Sequence, residues 1–79
     1  MPTILHDQGF RFQFYSADGS EPPHIHVHKA GNEAKWWLDP LREAWCRGYT
    51  RAERARVARL VKAHQGYLLR RWYESFRKD

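Results

Sequence analysis

The chain has 79 residues, 14 Lys and Arg against nine Asp and Glu, a net charge of +5, and aromatics at 15%. That aromatic content is too high for a disordered segment and supplies the apolar area that so short a chain needs for a packed core. One cysteine, Cys46, rules out an internal disulfide framework, and apolar runs of only three residues, such as Trp36-Trp37-Leu38, rule out a helical membrane span.

Residues 1–38 read as the β-rich part. Thr3 to His6 is short and β-prone, and Asp7-Gln8-Gly9 supplies a turn. Phe10 to Tyr15 alternates apolar with polar at period two, as a half-buried strand does. Ser16 to Pro23 reads as a polar loop. His24 to Lys29 alternates again, Ala30-Gly31-Asn32 turns the chain, and Glu33 to Leu38 completes three or four antiparallel strands. Trp36 and Trp37 fall on opposite faces, one for the core and one for the outer surface.

Residues 39–48 carry the signals of a short helix. Asp39 suits the cap, Pro40 the first helical position, Glu43 the reach back, and Gly48 the stop. Residues 50–77 then read as a long amphipathic helix opened by a capping box, Thr50-Arg51-Ala52-Glu53. Val57, Leu60, Val61, His64, Leu68, Trp72 and Phe76 form its apolar stripe, with Arg51, Arg59, Lys62, Arg70 and Arg77 opposite. Gly66, together with Arg71 falling near the stripe, predicts a bend near Gly66. The expected fold is α+β in one domain over 1–79: a small antiparallel sheet of three to four strands, a short helix, and a long C-terminal helix across one face.

The charge is uneven. Residues 1–49 carry five Lys/Arg and six Asp/Glu, a balance of −1, whereas residues 50–79 carry nine and three, a balance of +6. The helix face bearing Arg51, Arg59, Lys62 and Arg70 is therefore either a solvated surface or a contact for an anionic partner, with nucleic acid one candidate. No basic segment followed by an apolar one opens the chain, so a reduced, cytoplasmic setting without membrane attachment is expected.

The sharpest local feature is Pro22-Pro23-His24-Ile25-His26-Val27-His28. On a strand the three imidazoles share one face, beside Arg11, Gln13 and Tyr15 if Phe10, Phe12, Phe14, Ile25 and Val27 turn toward the helix. Such a face could bind a partner, and His24, His26 and His28 are candidate ligands for a divalent metal such as zinc. Alternate residues on a flat strand lie roughly 6.5–7 Å apart, however, so two could chelate while a third ligand would need a bulge or a second element. His-Ile-His-Val-His also resembles the core of the histidine-triad nucleotide hydrolases and transferases, with His26 in the nucleophile's place and His24 beside it, but the chain before it is too short for that fold. The plainest reading is structural, the imidazoles bonding neighbours or water. Glu33, beside a turn, reads as solvated.

Taken together, Met1-Pro2-Thr3-Ile4, Gly9-Phe10-Arg11-Phe12, Phe14-Tyr15-Ser16, Pro22-Pro23-His24-Ile25-His26-Val27, Ala34-Lys35-Trp36-Trp37-Leu38-Asp39-Pro40 and Gly48-Tyr49-Thr50 resemble the small bacterial domain of unknown function 4160 family. The resemblance implies a component of a toxin–antitoxin-like two-gene module, partnered by a small protein encoded by the adjacent gene. It assigns no reaction, cofactor or catalytic residue, and its Pro-Pro-His-x-His pattern covers His24 and His26 but not His28. The leading expectation is accordingly protein interaction; a metal- or His-dependent hydrolase or nuclease on the His24/His26/His28 face, and nucleic-acid binding by the basic helix, stand beside it.

Overall fold

A computed structural model describes residues 3–76. Five strands, β1 (Thr3–Asp7), β2 (Phe10–Gln13), β3 (His24–Lys29), β4 (Asn32–Leu38) and β5 (Leu41–Arg47), form an antiparallel sheet in the order β1-β2-β3-β4-β5. One 3-10 turn, Ser16–Ser20, interrupts the run between β2 and β3; helices α1 (Arg51–Ala63) and α2 (Gln65–Phe76) follow the sheet. Met1, Pro2 and Arg77, to which the expectations above extend, lie outside the described residues.

Two of the hairpins close on two-residue turns that the sequence dictates. Gln8 and Gly9, and again Ala30 and Gly31, all have positive φ, the backbone of the tight turn whose twist matches its flanking strands. With those registers fixed, Phe10, Phe12, Ile25, Val27, Ala34 and Leu38 face the helices and are buried with Phe14, Val57, Leu60, Val61, Leu68 and Trp72. Each fully buried aliphatic or Phe side chain contributes about 1.5–3 kcal/mol relative to exposure. Trp36 packs against this core and Trp37 against the outer face, as their parity requires.

The α+β architecture is thus the expected one, but residues 39–48 are not a helix. Asp39 and Pro40, joined by a cis peptide, turn the chain, and Leu41–Arg47 becomes a fifth strand. The local capping signals were outweighed by tertiary terms. β4 offers an unpaired edge, Leu41 and Cys46 find places against the core, and Glu43, expected to reach back to a cap, instead pairs with Arg54 of α1 through Oε1 at 2.6 Å and Oε2 at 3.0 Å.

The capping box of the long helix is present. Glu53 N donates to Thr50 Oγ1 at 3.1 Å and Thr50 N to Glu53 Oε1 at 2.9 Å. The break comes at His64, two residues before Gly66, which lies inside α2. His64 stays half-buried, edge-on to Phe12, with its Nε2 2.7 Å from Asp7 Oδ2, while the bonds His64 N to Leu60 O and Leu68 N to His64 O bridge the break. No helix among the described residues is long and apolar enough to cross a membrane.

Candidate metal centre on the outer face of the sheet

The strand registers set the site. On the face opposite Ile25 and Val27, cross-strand neighbours form the rows Arg11, His28, Glu33 and Arg47, then Gln13, His26, Lys35 and Trp45, then His24, Trp37 and Arg42. The three imidazoles therefore lie on the side opposite Ile25 and Val27, as the alternation predicts. They do not form an open surface. His24 is wholly buried and His26 is 5% exposed, because the segment after β2 folds back over them.

Two residues of that segment make the cover. Tyr15 lays its ring on His26, centroids 4.2 Å apart, and Asp18, 8% exposed, sends its carboxylate beneath. The backbone amide of Tyr15 donates to Asp18 Oδ2 at 2.8 Å, which fixes the carboxylate's direction. Trp37 and Trp72 wall His24, with centroids at 5.5 and 5.0 Å.

Hydrogen bonding decides the state of the rings. His24 Nδ1 lies 2.9 Å from Pro22 O, and a carbonyl can only accept, so this nitrogen carries the proton. His26 Nδ1 lies 3.0 Å from Glu33 Oε2, and the same reasoning places its proton there. A ring that carries only this proton presents an Nε2 lone pair. Both Nε2 atoms are buried without a hydrogen-bond partner. They face Asp18 Oδ2 at 3.1 Å from His24 and 3.4 Å from His26. These short approaches lack hydrogen-bond geometry, and with the ring protons on Nδ1 they set acceptors against an acceptor. Burial holds the His26 pKa below its ordinary value, with the Asp18 charge pulling the other way and His24 adding to the lowering.

Three acceptors meeting out of water are unfavourable unless a cation lies between them or a ring takes a second proton, which burial opposes at His26. The spacing suits one. Zinc bonds of 2.0–2.1 Å at tetrahedral angles separate neighbouring ligands by about 3.3 Å. The three donor atoms all lie within 4.8 Å of one another. The outer bonds also match: metal-binding imidazoles characteristically donate their second N–H to a carboxylate or a backbone carbonyl, here Glu33 and Pro22.

Glu33 does more than meet His26. Its Oε2 also accepts from Tyr15 Oη at 3.0 Å, and Tyr15 Oη lies 2.9 Å from His28 Nε2. Burial, followed by the bond to Glu33, raises the Tyr15 pKa. Glu33 is therefore half-buried and bonded rather than solvated, and His28 belongs to this outer network, not to the converging set. Asp18, from a second element, is the carboxylate that lies with His24 and His26, within 4.8 Å of both. Neither carboxylate stands out in the sequence. Asp18 sits in a Ser/Gly loop typical of a turn, and only the pairing of β3 with β4 shows Glu33 to be beside the imidazoles.

The remaining expected site residues separate. Gln13 is half-buried beside His26, and Arg11 is exposed beside His28. Arg51, Arg59, Lys62 and Arg70 are exposed on the helices across the sheet, in a different surface from the cluster. A nucleophilic His26 would have to reach a phosphorus centre through Nε2, an atom with essentially no accessible surface.

A family profile for a domain of unknown function (DUF4160) matches residues 9–73. The chain belongs to the DUF4160 family. The matched range spans β2 through most of α2 and includes Asp18, His24, His26 and Glu33, so the whole candidate centre lies inside the DUF4160 domain. No match was found among curated proteins or among solved structures.

Proposed function

We propose that this protein is a metal-binding module in which Asp18, His24 and His26 hold one divalent transition metal of the zinc class. The single observation behind this reading is the pair of buried Nε2 atoms that face a buried carboxylate without a hydrogen bond to it. The ion's role is to fasten the Tyr15–Glu21 segment to β3. Three protein ligands leave a fourth position for water or a further group; burial of all three shields that position from bulk solvent and favours the structural role over a hydrolytic one. Titration of tag-free, metal-stripped protein with cobalt(II), followed by zinc displacement, tests it. One equivalent should bind with the visible spectrum of a low-coordinate site, and His24→Ala, His26→Ala and Asp18→Ala should each abolish it. Binding that survives all three substitutions, or no binding at micromolar metal, refutes the reading.

A second reading, interaction with a small protein encoded next to this one in a toxin–antitoxin-like module, is favoured by β5. It is the last strand in the sheet order and presents Trp45, with Arg47 stacked on its ring at 4.6 Å, on the outer face. Unpaired strand edges recruit further strands. Co-expression with the adjacent gene product and co-purification at physiological salt would support it; independent elution of the two proteins would end it.

A further inference from the structure

The basic side chains of the second half of the chain take no part in the proposed metal centre and carry their own arrangement. Arg56, Arg59, Ala63, Tyr67 and Arg70 recur at steps of three and four residues, so they fall in one line along α1 and α2. The backbone bonds through His64 keep that phase across the break. At 1.5 Å per residue the line is about 21 Å long. All of its side chains are exposed. Among the described residues, no carboxylate lies within ion-pair distance of Arg56, Arg59, Lys62 or Arg70; the acids of these helices are engaged elsewhere, Glu53 at the cap and Glu74 with Arg71. Beside Arg56 and Arg59 is a shallow recess of about 310 Å³ closed on its far side by Gln8.

From this line we infer that the outer face of α1 and α2 binds single-stranded nucleic acid, a function independent of the metal reading. Guanidinium groups match phosphate oxygens in charge and fork geometry, and the recess between Arg56, Arg59 and Gln8 seats one phosphate. The aromatic residue chooses between anionic partners. Tyr67 stands between Arg59 and Arg70, 38% exposed, and Tyr73, 56% exposed, follows three residues after Arg70. An acidic peptide draws mainly on the cations, whereas unpaired bases also stack on exposed rings among them, at about 1–3 kcal/mol per base. A duplex, whose bases are already stacked, gains only the charge contacts.

The test is fluorescence anisotropy of a labelled 20-nucleotide pyrimidine strand with the full chain. With three arginines on phosphates, the slope of log affinity against log salt is about −2, so affinity should fall roughly 20-fold between 50 and 200 mM salt. Arg59→Gln should flatten the slope by about 0.7. Tyr67→Ala should weaken binding at least fivefold while Tyr67→Phe keeps it, circular dichroism verifying the fold of each variant. The inference is overturned by a salt-independent affinity, by equal competition from polyglutamate of matched charge, or by equal binding of a duplex together with indifference to Tyr67→Ala.

Discussion

Glu33→Gln separates a metal centre from a merely polar cluster, because Glu33 meets His26 on the side away from the proposed ion. Its Oε2 accepts from His26 Nδ1 and from Tyr15 Oη, both at 3.0 Å. A glutamine retains one acceptor oxygen but loses the charge that makes the imidazole a stronger ligand. Loss of such an outer partner typically costs 10- to 100-fold in metal affinity. At free zinc equal to about 100 times the wild-type Kd, binding stabilises the fold by about 2.7 kcal/mol. For a domain of this size that is about 11–22 °C in Tm. The same zinc concentration should stabilise Glu33→Gln by only about 0.4–1.4 kcal/mol. Differential scanning fluorimetry with and without zinc, together with direct Kd measurement by competition with a chelating dye, provides both numbers. A zinc-induced shift as large in Glu33→Gln as in the parent protein would refute the role given to Glu33. The same shift in Asp18→Ala would refute the centre itself.

Other consequences follow from particular contacts. His28→Ala should leave zinc affinity within about threefold of wild type by the same dye competition, since His28 meets Tyr15 Oη and not the converging atoms. Gly19→Ala would put a methyl 2.8 Å from the Phe76 ring and should cost about 1–3 kcal/mol in urea unfolding, a loss that disappears in a Phe76→Ala background. Trp72→Ala removes the ring packed on Phe14, His24 and Phe76 and should cost about 3–5 kcal/mol by the same assay. Tyr49 donates its hydroxyl to Val27 O at 2.8 Å and has its pKa pushed up to about 12, chiefly by burial. The folded state then holds this proton more tightly than the unfolded state, whose phenol ionises near 10. Stability is therefore intact below pH 10 and falls as pH rises toward 12, and Tyr49→Phe should flatten that fall in alkaline melts.

Local pattern alone was enough to place most of the strands, the capped helix and its buried stripe. Alternation in Phe10–Tyr15 and His24–Lys29 is a direct record of which side chains leave water, and Thr50 with Glu53 is a cap that the adjacent backbone completes by itself. The parity of His24, His26 and His28 came from the same rule and was right. Their burial was not readable there, because it depends on Tyr15 and Asp18 folding back from a loop with no periodicity of its own. Leu41–Arg47 carried helix signals that are correct locally, and it became a strand because β4's edge and the Arg54 side chain, distant in sequence, offered more.

For this protein, then, the amino-acid order by itself determined the faces: which residues point to the helix layer, which to the other side, and where the positive charge collects. Only the tertiary structure decided which groups meet. Faces follow from the fixed periods of backbone geometry, whereas the approach of Asp18 to His24 and His26, and of Glu33 to His26, follows from chain reversals and cross-strand registers that no short window of sequence contains.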